Sequence, residues 1–224
     1  MPDGIVAIPV RTPLVRPGDD LVAIVSRAVA GIARNADVVA VSETAVAIAQ
    51  GELIPAEYVR PSRLAYALSR RAGAMATVSQ PESLQLVIDR VGARKVLYGA
   101  AMHVLGRLRG KRGVFYEIMG EAIAAIDGYT GTLPPYERAI VLAPREPDRF
   151  CEAVFERSGV ACAVVDANDL EKAKILGASE GVDRSAVERA LLGNPHGNGD
   201  EQTPVVVLKW RRAGQNPLIG NGAA

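Results

Sequence analysis

Residues 160–165 (VACAVV) form a short, uninterrupted apolar run that ends in the polar residues Asp166, Asn168 and Asp169. A run of this length, bounded by glycine on one side and polar residues on the other, is typical of a buried strand. Similar runs occur at residues 37–42 and 204–210. The chain is therefore expected to build its core around buried strands.

Composition limits which side chains can fill that core. Hydrophobic residues make up 49% of the 224 residues, but aromatic residues only 4%. The core must therefore consist of Ala, Val, Ile and Leu. A chain of this length is enough for one large domain or two small ones.

Charge and cysteine content exclude several classes of protein. The 26 basic and 25 acidic residues leave a formal net charge of +1, so no large field steers the protein to nucleic acid or to an anionic membrane. No apolar window approaches the length of a membrane span, and the N-terminal sequence MPDGIVAIPV lacks the features of a signal peptide. Cys151 and Cys162 show no zinc-type spacing and lie in apolar segments. These observations predict a cytoplasmic protein with two buried cysteines and no membrane or nucleic-acid partner.

The order of elements predicts an α+β or mixed α/β fold. Strands are expected at residues 4–10, 37–42, 138–143, 160–165 and 204–210, and helices at about 20–33, 62–73, 79–91, 147–158 and 183–192. Strict β-α alternation is absent, which disfavours a doubly wound sheet. We expect one domain over residues 1–210, with a basic β-hairpin at about 93–126, and a flexible C-terminal tail at 211–224.

Two acidic segments are candidate metal sites. Asp166, Asn168 and Asp169 follow a buried strand, and Asp127 lies in the sequence AIDG. Magnesium and manganese prefer oxygen ligands, usually one or two carboxylates completed by phosphate oxygens. The alternative for the first group is a turn or helix cap, and for Asp127 an Asp-Gly turn.

Two glycine-containing loops are candidate anion sites. The loop 109–113 (RGKRG) offers Arg109, Lys111 and Arg112 to a phosphate, although it lacks Walker A spacing. The loop 176–183 (LGASEGVD) brackets Glu180 with glycines and is a weaker candidate for a phosphate or metal. A solvated hairpin tip and a plain loop are the respective alternatives.

The polar loop at residues 193–203 contains His196, which is expected to be exposed beside its glycines. Polar loops carry function more often than cores do, and a disordered connection is the alternative. The histidines show no Ser/His/Asp or Cys/His spacing, so no catalytic nucleophile or base is assigned.

Several segments occur in an order that resembles one protein family. They are IPV…PLVRPGDDL, DVVAVSETAVAIAQGELI, AIDG, IVLAPREPD, VACAVVDANDL with ILGASEGVD, and EQTPVVVLK. In this order they resemble the gamma-glutamyl ligases of the deazaflavin coenzyme F-420, over about residues 8–209. Each motif is short, so the resemblance depends on the order that the motifs share with the family. The chain resembles a compact, divergent member of these ligases.

The resemblance implies a ligase fold of the family's own, assembled as an intertwined homodimer. It implies a GTP- and metal-dependent enzyme that joins L-glutamate in gamma linkage to a deazaflavin coenzyme precursor or a related phosphorylated carboxylate, through an acyl phosphate. The implied ligands of magnesium or manganese are Asp127, Asp166 and Asn168. The residues expected to contact the nucleotide or its phosphates are Ser42, Arg109, Lys111, Arg112 and Glu180.

Three departures from the family pattern leave a second function open. Ile48 and Gln50 stand where the family has Lys and Glu, and Ala167 stands where it has Thr. A charge, an acid and a hydroxyl are therefore missing near the implied site. The alternative is a non-catalytic relative that binds an anionic ligand or a protein partner.

Overall fold

A computed structural model of the protein describes residues 4–72, 77–128, 134–168, 172–193, 195–197, 202–211 and 218–219. The chain divides into two compact units, a first built from Met1–Glu52 with Pro144–Ala224 and a second from Leu53–Ala143. The second unit is thus inserted into the sequence of the first. The single domain predicted over residues 1–210 stays a prediction.

The strands and helices are numbered along the chain. The strands are β1 (Ile5–Val10), β2 (Val38–Ser42), β3 (Leu53–Pro55), β4 (Ile126–Gly128), β5 (Ala139–Leu142), β6 (Ala161–Asn168), β7 (Lys172–Ala178) and β8 (Val205–Trp210). The α-helices are α1 (Leu21–Val29), α2 (Glu43–Ala49), α3 (Arg63–Ser69), α4 (Pro81–Val91), α5 (Ala93–Leu108), α6 (Val114–Met119), α7 (Glu121–Ala124), α8 (Pro147–Ser158) and α9 (Arg184–Ala190). Within the described ranges, no helix combines the length and apolarity needed to cross a membrane.

The first unit is organised by a five-stranded sheet in the order β1-β8-β2-β6-β7. β2 and β6 run parallel, whereas β1 with β8, β2 with β8, and β6 with β7 run antiparallel. The expected mixed α/β class is confirmed, while a fold specific to the ligase family and the intertwined dimer stay predictions.

The three central strands are buried, as their apolar runs predict. Residues 38–41 of β2 and 205–208 of β8 are fully buried, and Val187, Leu191 and Leu218 cover one face of the sheet.

Cys151 and Cys162 are also fully buried, and burial raises the pKa of the Cys162 thiol well above its usual value. The prediction of an aliphatic core containing two small buried cysteines is confirmed.

The second unit contains helices where the sequence predicts a basic β-hairpin. Residues 93–108 form the single helix α5, and two short helices, α6 and α7, follow. On α5, Gly99 and Gly106 are buried; a Cβ at either would lie 2.7 Å from Met119 or Val114 of α6. The hairpin prediction was wrong. The segments KVLY and VFY contain residues that favour strands, but both belong to helices, and these helices pack against each other.

The second unit also contains a small sheet. Its three strands follow the order β3-β5-β4 and are antiparallel. Buried side chains of Ile126 and Ile140 join those of α4 and α5 in the core of this unit.

The predicted flexible tail is wrong at two of its residues. Leu218 is fully buried, its carbonyl accepts a hydrogen bond from the Asp183 amide at 2.9 Å, and Ile219 forms a bridge with Val182. Leu218 joins the core because an aliphatic side chain in the tail can fill the space beside α9. The other tail residues except Arg211 lie outside the described ranges.

The segment 176–183 contains the end of β7 and packs against the start of α8. A Cβ at Gly177 would lie 2.4 Å from the Pro147 carbonyl carbon and 2.5 Å from the Asp148 amide nitrogen. The next amide, of Ala178, donates to the Asp148 carboxylate at 2.9 Å. Glycine is therefore required here so that the start of α8 can approach the strand.

We predict that Gly177→Ala lowers the free energy of unfolding by about 2–3 kcal/mol, because a methyl group must displace backbone atoms. Gly193→Ala is the control, since its backbone has φ of +88° but open space around it. Its expected loss is about 1 kcal/mol, from the left-handed conformation alone. Urea denaturation of both variants gives the comparison, and equal losses would contradict the role assigned to Gly177.

Candidate functional site

The parallel pair β2–β6 brings two sequence-predicted residues to one edge of the sheet. Ser42, the last residue of β2, lies opposite Val165 of β6, and Asp166 is the next residue along that strand. Neighbouring strands are about 4.8 Å apart, so the backbones of the two residues are close, but side chains alternate along a strand and these two point to opposite faces of the sheet. Ligands of sheets with parallel strands usually bind where the carboxyl ends of those strands meet. We call this place the carboxyl edge, defined by Ser42 and Asp166.

Ser42 presents a hydroxyl that the adjoining helix does not use. The residue stands at the N-cap position of α2, but its side chain makes no capping hydrogen bond. Its amide donates to the carbonyl of Pro204, just before β8, at 2.8 Å. The backbone is thus held while the hydroxyl can turn toward a ligand.

Asp166 presents a carboxylate at the same edge. The residue is exposed, and its partner across the β6–β7 ladder is Lys174. Partial burial of the side chain raises the pKa of Asp166 above its usual range, and Lys174 lowers it in part. Among the described residues, no basic group lies within ion-pair distance of this carboxylate.

His196 is a third residue of this edge, and the prediction that it is exposed was wrong. Its ring is buried and Nδ1 lies 3.4 Å from the carbonyl oxygen of Thr203, while the Thr203 hydroxyl donates to the His196 carbonyl at 2.6 Å. Thr203 directly precedes Pro204, whose carbonyl binds the Ser42 amide. These contacts connect His196 to Thr203 and Pro204, beside Ser42.

The contacts of His196 define its protonation. A carbonyl only accepts, so Nδ1 carries the proton and Nε2 carries a lone pair. Burial lowers the pKa of His196 to about 4, although the carbonyls of Thr203 and Pro204 raise it in part. Within the described part of the chain, Nε2 is buried without a hydrogen-bond partner. The ring is therefore neutral at pH 7 and can accept a hydrogen bond.

Asp127 lies in the second unit, at an irregularity of β4. Ile126 pairs with Leu142 and Gly128 with Val141, so Asp127 is the extra residue of a bulge. Bulges often redirect side chains beside functional sites. The side chains of Asp127 and Asn168 lie outside the described part of the structure, so a metal shared by Asp127, Asp166 and Asn168 stays a prediction.

Arg109, Lys111 and Arg112 lie at the end of α5, where all three are exposed. The amides of Arg109, Gly110 and Lys111 donate to carbonyls of the last helical turn at 2.8–3.1 Å, so these amides do not cradle an anion. Cations at a helix C-terminus are favoured by the helix dipole in any case. Their phosphate-binding role stays a prediction supported by charge alone.

Glu180 lies away from the carboxyl edge. β7 runs antiparallel to β6, so its end at Ala178 lies opposite Ala163, near the start of β6. The Glu180 amide donates to the Glu152 carboxylate at 2.7 Å. Geometry thus gives the segment 176–183 a structural role and separates Glu180 from Ser42 and Asp166.

The departures at Ile48 and Gln50 have structural explanations. Ile48 is buried in the first unit, where a lysine would lose its hydration. The Gln50 amide donates to the carbonyl of Arg145 at 2.9 Å and accepts from the amide of Arg145 at 2.7 Å. Glutamate could not make both bonds, because an ionised carboxylate only accepts.

One small cleft lies at the other end of α2. Its volume is about 180 Å³, and its lining includes Asp19, Asp20, Gln50 and Phe150. Ligand pockets usually have about 300–1,000 Å³, so this cleft is too small to enclose a nucleotide. Across the described ranges, no group of three His, Cys, Asp or Glu side chains could hold a metal ion.

We predict that His196 makes stability depend on pH. Its pKa is about 4 in the folded protein and about 6.5 in an unfolded chain. Between these values only the unfolded chain binds the proton, so stability rises with pH and is lost as pH falls from about 6.5 toward 4. The full loss is of the order of 3 kcal/mol. Urea unfolding at several pH values should show a shallower dependence for His196→Gln than for the unsubstituted protein.

Nuclear magnetic resonance gives an independent check of the same prediction. The chain has two histidines, and the signal absent from His196→Gln identifies His196. A titration of that signal near the ordinary histidine value would contradict the burial and bonding described for the ring.

Sequence comparisons place the chain in a family. No curated protein matches it. The sequence model of the family described as F420-0:gamma-glutamyl ligase matches residues 9–195, which include β2, β6 and β7. The match covers most of the chain, and we conclude that the chain belongs to the F420-0:gamma-glutamyl ligase family.

Proposed function

We propose that the protein is a GTP- and metal-dependent ligase that adds L-glutamate in gamma linkage to a deazaflavin coenzyme F-420 precursor. The observation that carries the proposal is the family match over residues 9–195. The carboxyl edge supports it, because Ser42 and Asp166 provide a hydroxyl and a carboxylate at the usual ligand position of a sheet with a parallel pair.

The proposed reaction has two steps. A carboxylate oxygen of the precursor attacks the terminal phosphorus of GTP, GDP leaves, and an acyl phosphate forms. The amine of glutamate then attacks the acyl carbon, inorganic phosphate leaves, and the amine proton passes to solvent. Positioning and charge stabilisation dominate such phosphoryl transfer.

The side chains at the carboxyl edge offer oxygen ligands, which magnesium and manganese prefer. Asp166 offers carboxylate oxygens and Ser42 a hydroxyl oxygen, and both metals commonly take one or two protein carboxylates plus phosphate oxygens. When bound, such a cation neutralises phosphate charge. In this proposal Asp166 holds the cation, and the Ser42 hydroxyl donates to a phosphate oxygen.

His196 has a positioning role in the proposal. A ring with a pKa of about 4 is too weak a base to keep a proton at pH 7. Its Nε2 lone pair can instead accept a hydrogen bond, while its bonds to Thr203 hold His196 near Ser42. Its substitution is expected to change substrate binding more than the chemical step.

The decisive measurement is nucleotide-dependent formation of a glutamate adduct. We predict that the purified protein, with GTP, manganese, L-glutamate and the coenzyme precursor, yields a product heavier by one glutamyl group in mass spectrometry. Asp166→Asn should lower manganese affinity at least about tenfold in titrations followed by electron paramagnetic resonance, because a neutral amide binds a hard cation less well.

Glu156→Gln is the matched control, since it removes the same charge from an exposed position on α8. It should leave manganese affinity and product yield unchanged. If the unsubstituted protein binds neither GTP nor manganese, the ligase proposal fails.

One observation favours the alternative of a non-catalytic binding protein. Ile48 stands buried where the family pattern has a lysine, so a cation is missing from that segment. In that case the protein would bind the coenzyme precursor but release no GDP when GTP and glutamate are supplied. Measuring GDP release beside precursor binding separates the two functions.

A further inference from the structure

The small net charge of the chain conceals an uneven distribution between its two units. The second unit, Leu53–Ala143, contains 12 basic and 7 acidic residues and has a net charge of +5. The other 14 basic and 18 acidic residues give the first unit a net charge of −4. Charge asymmetry of this kind is typical of a chain in which one part contacts an anionic surface. The expectation drawn from the total charge therefore does not extend to each unit.

The positive charge of the second unit is concentrated at the two ends of helix α5. Residues 90–116 contain no Asp or Glu. The exposed basic residues at the ends of the helix are Arg94, Lys95, Arg107, Arg109, Lys111 and Arg112. Within the described ranges, none of these six forms an ion pair with an acidic side chain. Their charge is therefore available to a partner.

Apolar side chains are exposed between those charges. The large exposed apolar residues of α5, which we call the α5 stripe, are Leu97, Tyr98, Val104, Leu105 and Leu108. Leu108 is 82% exposed and Val104 60%. Val96, Gly99 and Gly106 are the buried residues of the same helix. The helix is thus apolar both where it is buried and where it is exposed, and such helices are normally covered on all sides.

A lipid bilayer with anionic headgroups matches both the charge and the stripe. A helix that lies along a membrane surface buries its apolar side chains at the headgroup boundary, while its Lys and Arg side chains contact anionic headgroups. Tyr98 suits this boundary, because tyrosine combines an apolar ring with a polar hydroxyl. With 16 residues, α5 is about 24 Å long, so the charges at both ends can contact headgroups while the stripe inserts between them.

We propose that the α5 stripe and the six basic residues at the ends of α5 form a docking surface for an anionic lipid membrane. The observation that carries the inference is the combination of unpaired positive charge with exposed aliphatic side chains on one helix. A nucleic acid would contact the charges but gain little from leucine and valine. A second copy of this face would bring basic residues near basic residues. The inference is independent of the proposed ligase activity, which needs no membrane.

The first experiment is co-sedimentation of the full chain with lipid vesicles. We expect binding to vesicles of phosphatidylglycerol mixed with phosphatidylcholine and none to vesicles of phosphatidylcholine alone. Added salt should release most of the bound protein, because it screens the attraction between exposed charges. Inorganic phosphate at matched ionic strength should not compete with the vesicles, because it offers no apolar layer to the stripe.

Matched variants test the charge and the stripe separately. The double variant Arg94→Gln/Lys95→Gln should bind about tenfold or more weakly, because each basic residue near an anionic surface contributes a factor of about five. Its control is Arg16→Gln/Arg27→Gln, which removes two exposed charges from the first unit.

Val104→Gln tests the stripe and should also weaken vesicle binding, because a polar amide gains nothing at the apolar boundary. Phe155→Gln is its control, since Phe155 is an exposed apolar residue of α8 in the first unit. Neither control should change the fraction of protein bound.

A gain of signal removes any dependence on how well these variants fold. Leu108→Trp should show a blue shift of its fluorescence on phosphatidylglycerol vesicles, because the indole enters the apolar boundary. Phe155→Trp should show no shift. The native Trp210 is present in both variants and contributes equally to their emission.

Four results would overturn the proposal. The first is equal binding to the two kinds of vesicle, and the second is equal behaviour of a variant and its control. The third is a blue shift of Leu108→Trp that grows with protein concentration when no vesicles are present, which would assign the stripe to a second copy. The fourth is preferential binding of a single-stranded DNA that Val104→Gln leaves unchanged, which would assign the charges to nucleic acid.

Discussion

The parallel pairing of β2 with β6 is the constraint on which the candidate site depends. Parallel neighbours require a long crossover, and here the chain leaves the sheet after Ser42 and returns to it at Ala161. The whole second unit lies within that crossover in sequence. Pairing across this distance gives Ser42 and Asp166 a common edge, and antiparallel β8 adds Pro204 from a third part of the chain.

The sequence predicts the central strands because burial imposes a simple pattern on them. Residues 37–42, 160–165 and 204–210 are short apolar runs, and each forms a strand of the main sheet. The start of α1 was also predictable, since the carboxylate of Asp20 accepts the Ala23 amide as a helix cap. β7 was not predicted, because Lys172 and Lys174 interrupt its apolar pattern. The helix α5 was missed because apolar residues on two faces hide the period of a single buried face.

Only part of the candidate site was predictable. Asp166 is a candidate from the sequence because an acid after an apolar run is expected to mark the strand's end, whereas β6 continues to Asn168. His196 was placed on the surface because local glycines suggest exposure, whereas its burial depends on Thr203 across a loop. The structural role of Gln50 depends on Arg145, which is 95 residues away in the chain. Sequence patterns describe neighbours along the chain, and these roles are set by partners that only the fold brings near.

The inserted second unit also sets an order for folding. Its residues are contiguous, so all of its strands and helices are available once residue 143 has been synthesised. The sheet of the first unit must wait, because Val10 pairs with Val205 and Val38 with Ala161. Contacts between such distant residues form slowly, and domains tend to fold as they emerge from the ribosome. During synthesis, β2 therefore remains without a partner until β6 arrives, and β1 until β8 arrives, with apolar edges open to chaperones in the meantime.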